Sequence, residues 1–343
     1  MSGDTAGTSL EAMTNNDLVV ETEGLTKRYG SRRAGRIVVD DVSMTVRRGE
    51  VYGFLGPNGA GKTTTLRMML GLIRPTSGTA RVLGRAAGRA DVSGRVGALI
   101  EGPGFFPYLS GRDNLRVMAR YQGLADRAAD RALERVDLAD RGDDRFRSYS
   151  LGMKQRLGVA SALMGDPELI VLDEPTNGLD PAGMQDMRGL VVSLARGGQT
   201  VLLSSHLLGE VQDICDRVGV INNGRILRES TVAELRGATS LRVRATPVDR
   251  ALAVARQLAG DAGVRRPDES ETATGDVVLD LPASSAPQVN RALVAAGVDV
   301  YEIAPLERSL EEVFFELTTG RSARTQVGPH VTTNEFKDEE AVR

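Results

Sequence analysis

The chain has 343 residues, enough for one large domain and a smaller one or for two domains of similar size. With 41% hydrophobic and 26% charged residues it has the composition of an ordinary soluble protein, and a net charge of -3 argues against a dedicated nucleic-acid binder. A single cysteine excludes an internal disulfide framework, two histidines argue against a histidine-built metal centre, and no apolar run approaches the roughly 18 residues that span a bilayer.

The chain begins with residues 1–16, which are polar and show no period, so we expect a disordered tail. Short apolar segments then predict strands at residues 18–20, 37–39, 42–46 and 50–55, with the basic, glycine-containing segment 31–36 as a hairpin loop. Short strands of this kind indicate an antiparallel piece packed beside a parallel core.

A glycine-rich loop follows the strand at residues 50–55 and precedes a predicted helix at 64–70. It fits the phosphate-binding pattern G-x-x-x-x-G-K-[S/T] with Gly56, Pro57, Asn58, Gly59, Ala60, Gly61, Lys62 and Thr63. Glycines let backbone N–H groups point at phosphate oxygens, and the helix that opens at Thr64 adds the positive end of its dipole. Lys62 would reach the β- and γ-phosphates, and the Thr63 hydroxyl would bind Mg²⁺. The alternative is a glycine turn before a core helix, because the chain contains 39 glycines.

The middle of the chain alternates apolar strands with amphipathic helices. Strands are predicted at residues 79–84, 96–101, 168–175 and 199–206. At least three amphipathic helices are predicted between residues 110 and 165 and one more at 181–195, and an Asn-Gly hairpin is predicted at 218–227. Glu101 ends the second of these strands, Asp173 and Glu174 lie near the end of the third, and His206 ends the fourth.

The pattern changes after about residue 239. Strand, helix, strand, strand, helix and strand are predicted in that order at residues 241–245, 250–259, 263–266, 276–281, 286–296 and 298–303. This order is typical of a small ferredoxin-like α+β unit. A last helix is predicted at 310–317, and residues 321–343 are unpatterned and expected to be disordered.

Candidate chemical groups fall at strand ends, on the carboxyl edge where α/β proteins bind ligands. Asp173 is placed to coordinate Mg²⁺, and Glu174 to polarise the attacking water. His206 could donate a hydrogen bond to the γ-phosphate. The alternatives are a solvated carboxylate at a strand end and a structural histidine without a catalytic role.

These stretches together resemble the nucleotide-binding subunit of an ATP-binding cassette (ABC) transporter, over about residues 17–238. Five motifs match in the family's order: the adenine-stacking aromatic at Tyr29, Walker A at residues 56–63, Walker B at 169–173 with the catalytic Glu174, the D-loop at 177–180 ending in Asp180, and the switch residue His206. The resemblance implies an α/β P-loop ABC ATPase cassette. It would have a mixed-sheet core, an antiparallel subdomain and a helical subdomain at about 105–165, followed by the small ferredoxin-like accessory domain at 239–320.

Two motifs depart from the family pattern. The signature motif keeps Ser150 and Gly152 but lacks the family's first glycine and its glutamine. Its serine hydroxyl and nearby N–H groups at a helix start would contact the γ-phosphate of ATP bound by a second copy. Glu101 replaces the usual Q-loop glutamine; it still offers Mg²⁺ an oxygen but adds negative charge. Both departures resemble the drug- and antibiotic-exporter branch, of daunorubicin- or bacitracin-resistance type.

The resemblance implies an ATP-hydrolysing exporter subunit that uses ATP and Mg²⁺, with no metal centre beyond Mg²⁺ and no nucleic-acid partner. Two copies would pair head to tail and drive a separate membrane permease that exports a hydrophobic or amphipathic drug, antibiotic or lipid. The protein would be cytoplasmic and peripheral on the inner face of the membrane. Phe105, Phe106 and Tyr108 either dock on the permease or form core of the helical subdomain.

Other functions remain open from the sequence. A soluble ABC ATPase acting on ribosomes or DNA is disfavoured by the single cassette, the single cysteine and the acidic balance. A small-molecule phosphotransferase with a phosphate loop would leave Ser150, Gly152 and His206 unexplained. The C-terminal unit could regulate the ATPase, bind a ligand or enlarge a dimer interface.

Overall fold

The computed structural model describes residues 17–31, 35–102, 104–236, 240–265, 276–306 and 313–314. The tails predicted at residues 1–16 and 321–343 lie outside this part of the chain. So does the helix predicted at 310–317, except for Val313 and Phe314.

The strands of the described residues form three sheets. In chain order they are β1 (Leu18–Tyr29), β2 (Arg36–Arg47), β3 (Val51–Leu55), β4 (Ser77–Val82), β5 (Arg85–Ala86), β6 (Val96–Leu99), β7 (Leu169–Asp173), β8 (Thr200–Ser205), β9 (Arg217–Asn222), β10 (Arg225–Thr231), β11 (Ser240–Thr246), β12 (Val264–Arg265), β13 (Asp276–Leu279) and β14 (Asp299–Leu306).

Helices connect and cover these strands. In chain order they are α1 (Lys62–Met69), α2 (Ala90–Ser93), α3 (Gly111–Tyr121), α4 (Arg127–Arg135), α5 (Leu151–Leu163), α6 (Pro181–Arg196), α7 (Leu208–Ile214), α8 (Val232–Arg236), α9 (Val248–Ala259) and α10 (Ala286–Ala295). Within the described ranges, no helix is long and apolar enough to cross a membrane.

The central sheet has the order β10-β9-β3-β8-β7-β6, and all its neighbouring strands run parallel except β9 and β10. β3, β7 and β8 are buried along their whole length, as expected for strands with both faces covered. Their side chains alternate between two cores. In β3, Leu55 packs with the helical side of the molecule, and Tyr52 and Phe54 pack with α1 and the antiparallel sheet. The central sheet is therefore the middle layer.

The antiparallel sheet has the order β2-β1-β4-β5. The two short strands predicted at residues 37–39 and 42–46 are one continuous strand, β2, with register shifts against β1. Asp41, within β2, has a positive φ of 57° and lies at one of these register shifts. This bulge interrupts the alternation of inward- and outward-facing side chains along the strand. The sequence therefore predicted the strand but divided it at its bulge.

The third sheet has the antiparallel order β12-β13-β11-β14, with α9 and α10 on one face. The strand–helix–strand–strand–helix–strand order confirms the predicted ferredoxin-like α+β unit. Further along the chain, Val313 is buried in the core on the helical side of the central sheet, and Phe314 packs against that core. A segment beyond the third sheet therefore returns to the cassette.

Candidate nucleotide site

The site lies at the carboxyl edge of the central sheet, where β3, β8 and β7 end side by side. The register pairs Leu55 with Ser205 and Asp173 with Ser204. The glycine loop follows β3, His206 follows β8, and Glu174 follows β7. The parallel register thus brings together residues that are more than 100 positions apart in the chain, as predicted from the strand ends.

The loop between β3 and α1 needs glycine at several positions. A Cβ at Gly56 would lie 2.3 Å from the Ile221 carbonyl oxygen. Gly61 has a φ of 107° and precedes α1, and its Cβ would lie 2.8 Å from the Val38 carbonyl oxygen. At Gly59, with a φ of 79°, a Cβ would meet no atom within 4 Å. The loop is closed against the protein on one side and open on the other, which suits a phosphate cradle.

Lys62, at the start of α1, is only 5% exposed. Its Nζ donates hydrogen bonds to the carbonyl oxygens of Gly56 at 2.6 Å and Pro57 at 3.2 Å. It also lies 3.0 Å from Glu174 Oε1, an ion pair without hydrogen-bond geometry. The ammonium group therefore lies at the loop and beside the carboxylate proposed for catalysis.

Thr63 and Asp173 make direct contact. The Thr63 hydroxyl donates to Asp173 Oδ2 at 2.8 Å, and the Ser204 hydroxyl donates to Asp173 Oδ1 at 2.6 Å. Two neighbouring ligands of an octahedral Mg²⁺ with bonds of about 2.1 Å lie about 3 Å apart. The hydroxyl and carboxylate oxygens present therefore fit Mg²⁺, and Ser204, which sequence reasoning missed, orients the carboxylate.

Glu174 and His206 face each other across the ends of β7 and β8. His206 Nδ1 and Glu174 Oε2 share a hydrogen bond of 2.6 Å. Glu174 adopts a left-handed φ of 49°, uncommon for a residue with a side chain, and its N–H donates to the Ser204 hydroxyl at 3.0 Å. The strained turn and this hydrogen bond hold the carboxylate between Lys62 and His206.

Glu101 lies in the turn after β6. It too has a left-handed φ, 61°, and its carboxylate forms an ion pair with Arg67 of α1. Sequence reasoning missed Arg67, although its place five residues after Lys62 on the helix was visible. Glu101 therefore contacts the helix that begins with Lys62 and Thr63, and its role as a Mg²⁺ ligand stays a prediction.

Tyr29 ends β1 and is 45% exposed. Lys27 Nζ lies 5.2 Å from the centroid of the tyrosine ring and donates to the Arg74 carbonyl oxygen at 2.6 Å. An exposed ring held by a cation is available for stacking on a base. Its contact with adenine stays a prediction.

The signature and D-loop residues lie at two exposed helix starts. Ser150 caps α5 by accepting the Met153 N–H at 3.2 Å, and Asp180 caps α6 by accepting the Gly183 N–H at 3.1 Å. Gly152 lies in the first turn of α5, where a Cβ would meet only Leu179, at 3.9 Å. Because these hydrogen bonds are local, the helix starts remain available to a group from outside the chain.

The aromatic residues after β6 divide between two environments. Phe105 packs edge to face on Phe146 of the core, with ring centroids 5.3 Å apart. Phe106 and Tyr108 are 46% and 65% exposed, with centroids 5.8 Å apart. The two alternatives from the sequence therefore apply to different residues, since Phe105 belongs to the core and Phe106 and Tyr108 face outward.

This chain is similar to known proteins over most of its length. The ABC transporter family model matches residues 39–177. The ABC transporter ATP-binding protein YdbJ of Bacillus subtilis is 39% identical over 88% of this chain and 96% of its own length. The bacitracin transport ATP-binding protein BcrA of Bacillus licheniformis is 38% identical over 88% of this chain and 98% of its own length. The daunorubicin/doxorubicin resistance ATP-binding protein DrrA of Streptomyces peucetius is 37% identical over 87% of this chain and 92% of its own length.

Among solved structures, cbiO1 from Clostridium perfringens, part of the ABC transporter complex cbiONQ, is similar with a TM-score of 0.58 and 27% identity. The match covers 64% of this chain and 90% of that one. A second structure, the dimeric ATP-binding cassette MJ0796 bound to ADP and Pi, has a TM-score of 0.57 and 22% identity. The match covers 62% of this chain and 98% of that one, and it shows the shared fold.

Proposed function

Starting from the fact that this chain belongs to the ATP-binding subunits of ABC transporters, we propose that it drives export of a hydrophobic or amphipathic compound through a separate membrane permease. ATP binding and hydrolysis follow from the membership, as the sequence predicted. The names of these relatives give no support to the alternative of a ribosome- or DNA-acting ATPase.

The names of the relatives support the export proposal. BcrA is named for bacitracin transport and DrrA for daunorubicin and doxorubicin resistance. Each match covers 87% or more of this chain, so the similarity extends past the cassette into the third sheet. The compound carried here is therefore proposed to be of the same broad kind, an amphipathic antibiotic, drug or lipid.

In the proposed nucleotide complex the loop from Gly56 to Thr63 holds the phosphates with its N–H groups, and Thr64 extends this contact into α1. Tyr29 stacks on adenine. The open side of the loop at Gly59, where a Cβ would meet no atom within 4 Å, supports this placement.

Hydrolysis is proposed to use the cluster of Lys62, Glu174 and His206. Lys62 exchanges the Glu174 carboxylate for phosphate oxygens, so its buried charge keeps an anionic partner in both states. Glu174, released from the lysine, polarises the attacking water. His206 keeps the carboxylate oriented through their 2.6 Å hydrogen bond and contacts the γ-phosphate.

Mg²⁺ is proposed to be held by Thr63 and Asp173, with Glu101 as a further oxygen donor. When bound, the ion neutralises charge that develops on the β- and γ-phosphate oxygens. The chain's own contribution is the Ser204 hydroxyl, which fixes one Asp173 oxygen and leaves the other directed at Thr63.

A second copy is proposed to complete the site. The helix start with Ser150 and Gly152 offers N–H groups and the positive end of a helix dipole to the γ-phosphate bound by the other copy, with Asp180 beside it. Phe106 and Tyr108 provide an exposed aromatic pair for the permease. Through that contact the protein would lie on the cytoplasmic face of the membrane.

The observation that carries the hydrolytic assignment is the contact of Glu174 with both Lys62 and His206. Replacing Glu174→Gln keeps the shape but removes the base, so the ATP turnover rate should fall by about 10² to 10⁴-fold. Phosphate release from the purified subunit, alone and with its permease, measures this. Turnover within a few-fold of the parent protein would contradict the assignment.

A further inference from the structure

We propose that Glu210 is a positioning residue for hydrolysis, which clamps the backbone turn that carries His206. The inference rests on the proposed role of that histidine. Glu210 lies in the first turn of α7 and is 2% exposed, so it cannot serve as a solvated surface charge.

The clamp passes through Ser205, the residue before the histidine. The Ser205 hydroxyl lies 2.9 Å from Glu210 Oε2 and 3.4 Å from the Leu207 carbonyl oxygen, so its single hydrogen goes to the closer, charged acceptor. The same hydroxyl oxygen accepts the Leu207 N–H at 2.9 Å. One side chain therefore bridges the backbone on both sides of His206.

This turn is also tied to the phosphate loop. The Ser205 carbonyl oxygen accepts the Gly56 N–H at 3.2 Å, and Ser205 itself is 1% exposed. A shift of this residue would move the histidine relative to both the loop and Glu174. The position of His206 thus depends on a hydroxyl whose direction is set by Glu210.

The carboxylate is the group that this geometry requires. An ionised carboxylate only accepts hydrogen bonds, so it forces Ser205 to donate to it and leaves the hydroxyl oxygen to accept from Leu207. A glutamine amide can donate to the same hydroxyl and compete with the Leu207 N–H. A glutamine oxygen could still accept from Ser205, so Glu210→Gln keeps the volume but no longer restricts the hydroxyl to donating at this contact.

Stability alone does not explain a carboxylate at this position. Glu210 Oε1 is buried and has no hydrogen-bond partner among the described groups, a costly state for a charged oxygen. The helix that carries it is packed tightly, because a Cβ at Gly53 of β3 would lie 2.9 Å from both Val211 and Cys215. A rigid helix holding a costly charge behind a catalytic residue fits a positioning role.

The test compares Glu210→Gln with Asp213→Asn, an exposed carboxylate on the same helix that pairs with Arg188. Single-turnover hydrolysis of labelled ATP and its dependence on ATP concentration are measured for each. In Glu210→Gln we expect the rate constant for hydrolysis to fall roughly 10- to 100-fold, while the ATP concentration that gives half of the maximal rate stays within about 2-fold of the parent value. Asp213→Asn should match the parent protein in both quantities.

A His206→Ala background separates positioning from general destabilisation. If Glu210 acts through the histidine, Glu210→Gln should cause no further loss there. The proposal would be overturned if Glu210→Gln slowed hydrolysis as much in the His206→Ala background as in the parent protein. An unchanged rate in Glu210→Gln alone would also overturn it. Should Glu210→Gln not fold, Ser205→Ala removes the bridging hydroxyl and is subject to the same comparison. If His206→Ala alone hydrolyses normally, the proposed role of the histidine fails instead.

Discussion

The two edges of the central sheet hold buried charge in different ways. At the amino edge, Arg217 is 11% exposed on its side chain and contacts Glu50 at 3.0 Å and Glu229 at 2.5 Å, so each charge meets its opposite. At the carboxyl edge, Glu174 and Glu210 each keep one buried oxygen without a hydrogen bond. At the amino edge the charged groups are paired with one another. At the carboxyl edge the two carboxylates each keep an oxygen that can still accept a hydrogen bond.

The strand β7 shows the contrast within a few residues. Glu168, just before it, is bound by Arg95 at 2.5 Å and by Arg48 at 2.8 Å, and these hydrogen bonds lower the pKa of its carboxyl to about 2. Asp173, at its other end, directs one oxygen to Thr63, where Mg²⁺ is proposed to bind. We infer that charge at the amino edge serves stability and charge at the carboxyl edge serves the reaction.

After Glu174→Gln, the largest expected effect is at Thr63. Thr63→Val removes one proposed Mg²⁺ ligand at nearly constant volume and should lower ATP turnover by about 10² to 10³-fold. Its effect on unfolding free energy should be about 1 kcal/mol, the value of one hydrogen bond. Turnover assays and urea titration measure both.

Thr65→Val is the matched control on the same helix. Thr65 is fully buried and its hydroxyl donates to the Gly61 carbonyl oxygen at 2.9 Å, so this variant loses a hydrogen bond but no Mg²⁺ ligand. It should keep turnover within about 10-fold of the parent, since only transition-state contacts affect the chemical step strongly. Equal losses in the two variants would remove the basis for a metal site at Thr63.

The next effect concerns the amino edge. Arg217→Met leaves Glu50 and Glu229 without their cation, and breaking a buried pair in this way costs about 3 to 5 kcal/mol of unfolding free energy. The turnover of the folded protein should be unchanged within about 2-fold. A variant with normal stability but slow hydrolysis would reverse the roles assigned to the two edges.

A smaller effect is expected at the Glu101–Arg67 pair. Glu101→Gln removes negative charge near the proposed metal, so more Mg²⁺ should be needed for half-maximal turnover. Arg67→Met removes positive charge and should shift the Mg²⁺ requirement in the opposite direction. Because Glu101 is 59% exposed, each shift should be about 5-fold or less. Shifts of the same sign would contradict an electrostatic role for the pair.

The smallest effect is expected at Glu168. Its pKa is lower in the folded protein than in the unfolded chain, so its stabilisation is present above about 4.5 and lost as pH falls toward 2. Since a third of the side chain is exposed, Glu168→Gln should cost about 1 kcal/mol or less at pH 7. Unfolding measured at a series of pH values tests this. Between pH 4.5 and 2 the unfolding free energy of Glu168→Gln should fall less steeply than that of Asp166→Asn, a control at an exposed carboxylate.

Sequence motifs predicted the phosphate loop, the strand ends, an antiparallel piece beside a parallel core, and the order of strands and helices along the chain in the C-terminal unit. They could not predict the direct contacts of Lys62 with Glu174 or of Thr63 with Asp173, because these contacts depend on which strands are neighbours and in which register. Ser204 and Ser205 were missed for the same reason. A serine in an apolar strand carries no signal until its partner strand is known.

The sequence also failed to predict the short helices. The helices α2, α7 and α8 have 4, 7 and 5 residues, too few for a helical period to be recognised. Glu210 lies on one of them, so its relation to His206 was not visible from spacing. The sequence could not decide which of the aromatic residues after β6 are exposed, because exposure depends on packing against Phe146, which lies 41 residues after Phe105.

The central claim is that ATP is held between two copies of this chain, with Lys62 and Glu174 from one and Ser150 from the other. The most direct measurement is the molar mass of the Glu174→Gln variant by light scattering, with ATP and Mg²⁺ and with ADP. The account predicts a dimer with ATP and a monomer with ADP. A monomer with ATP and Mg²⁺, both alone and in the presence of the permease, would contradict it.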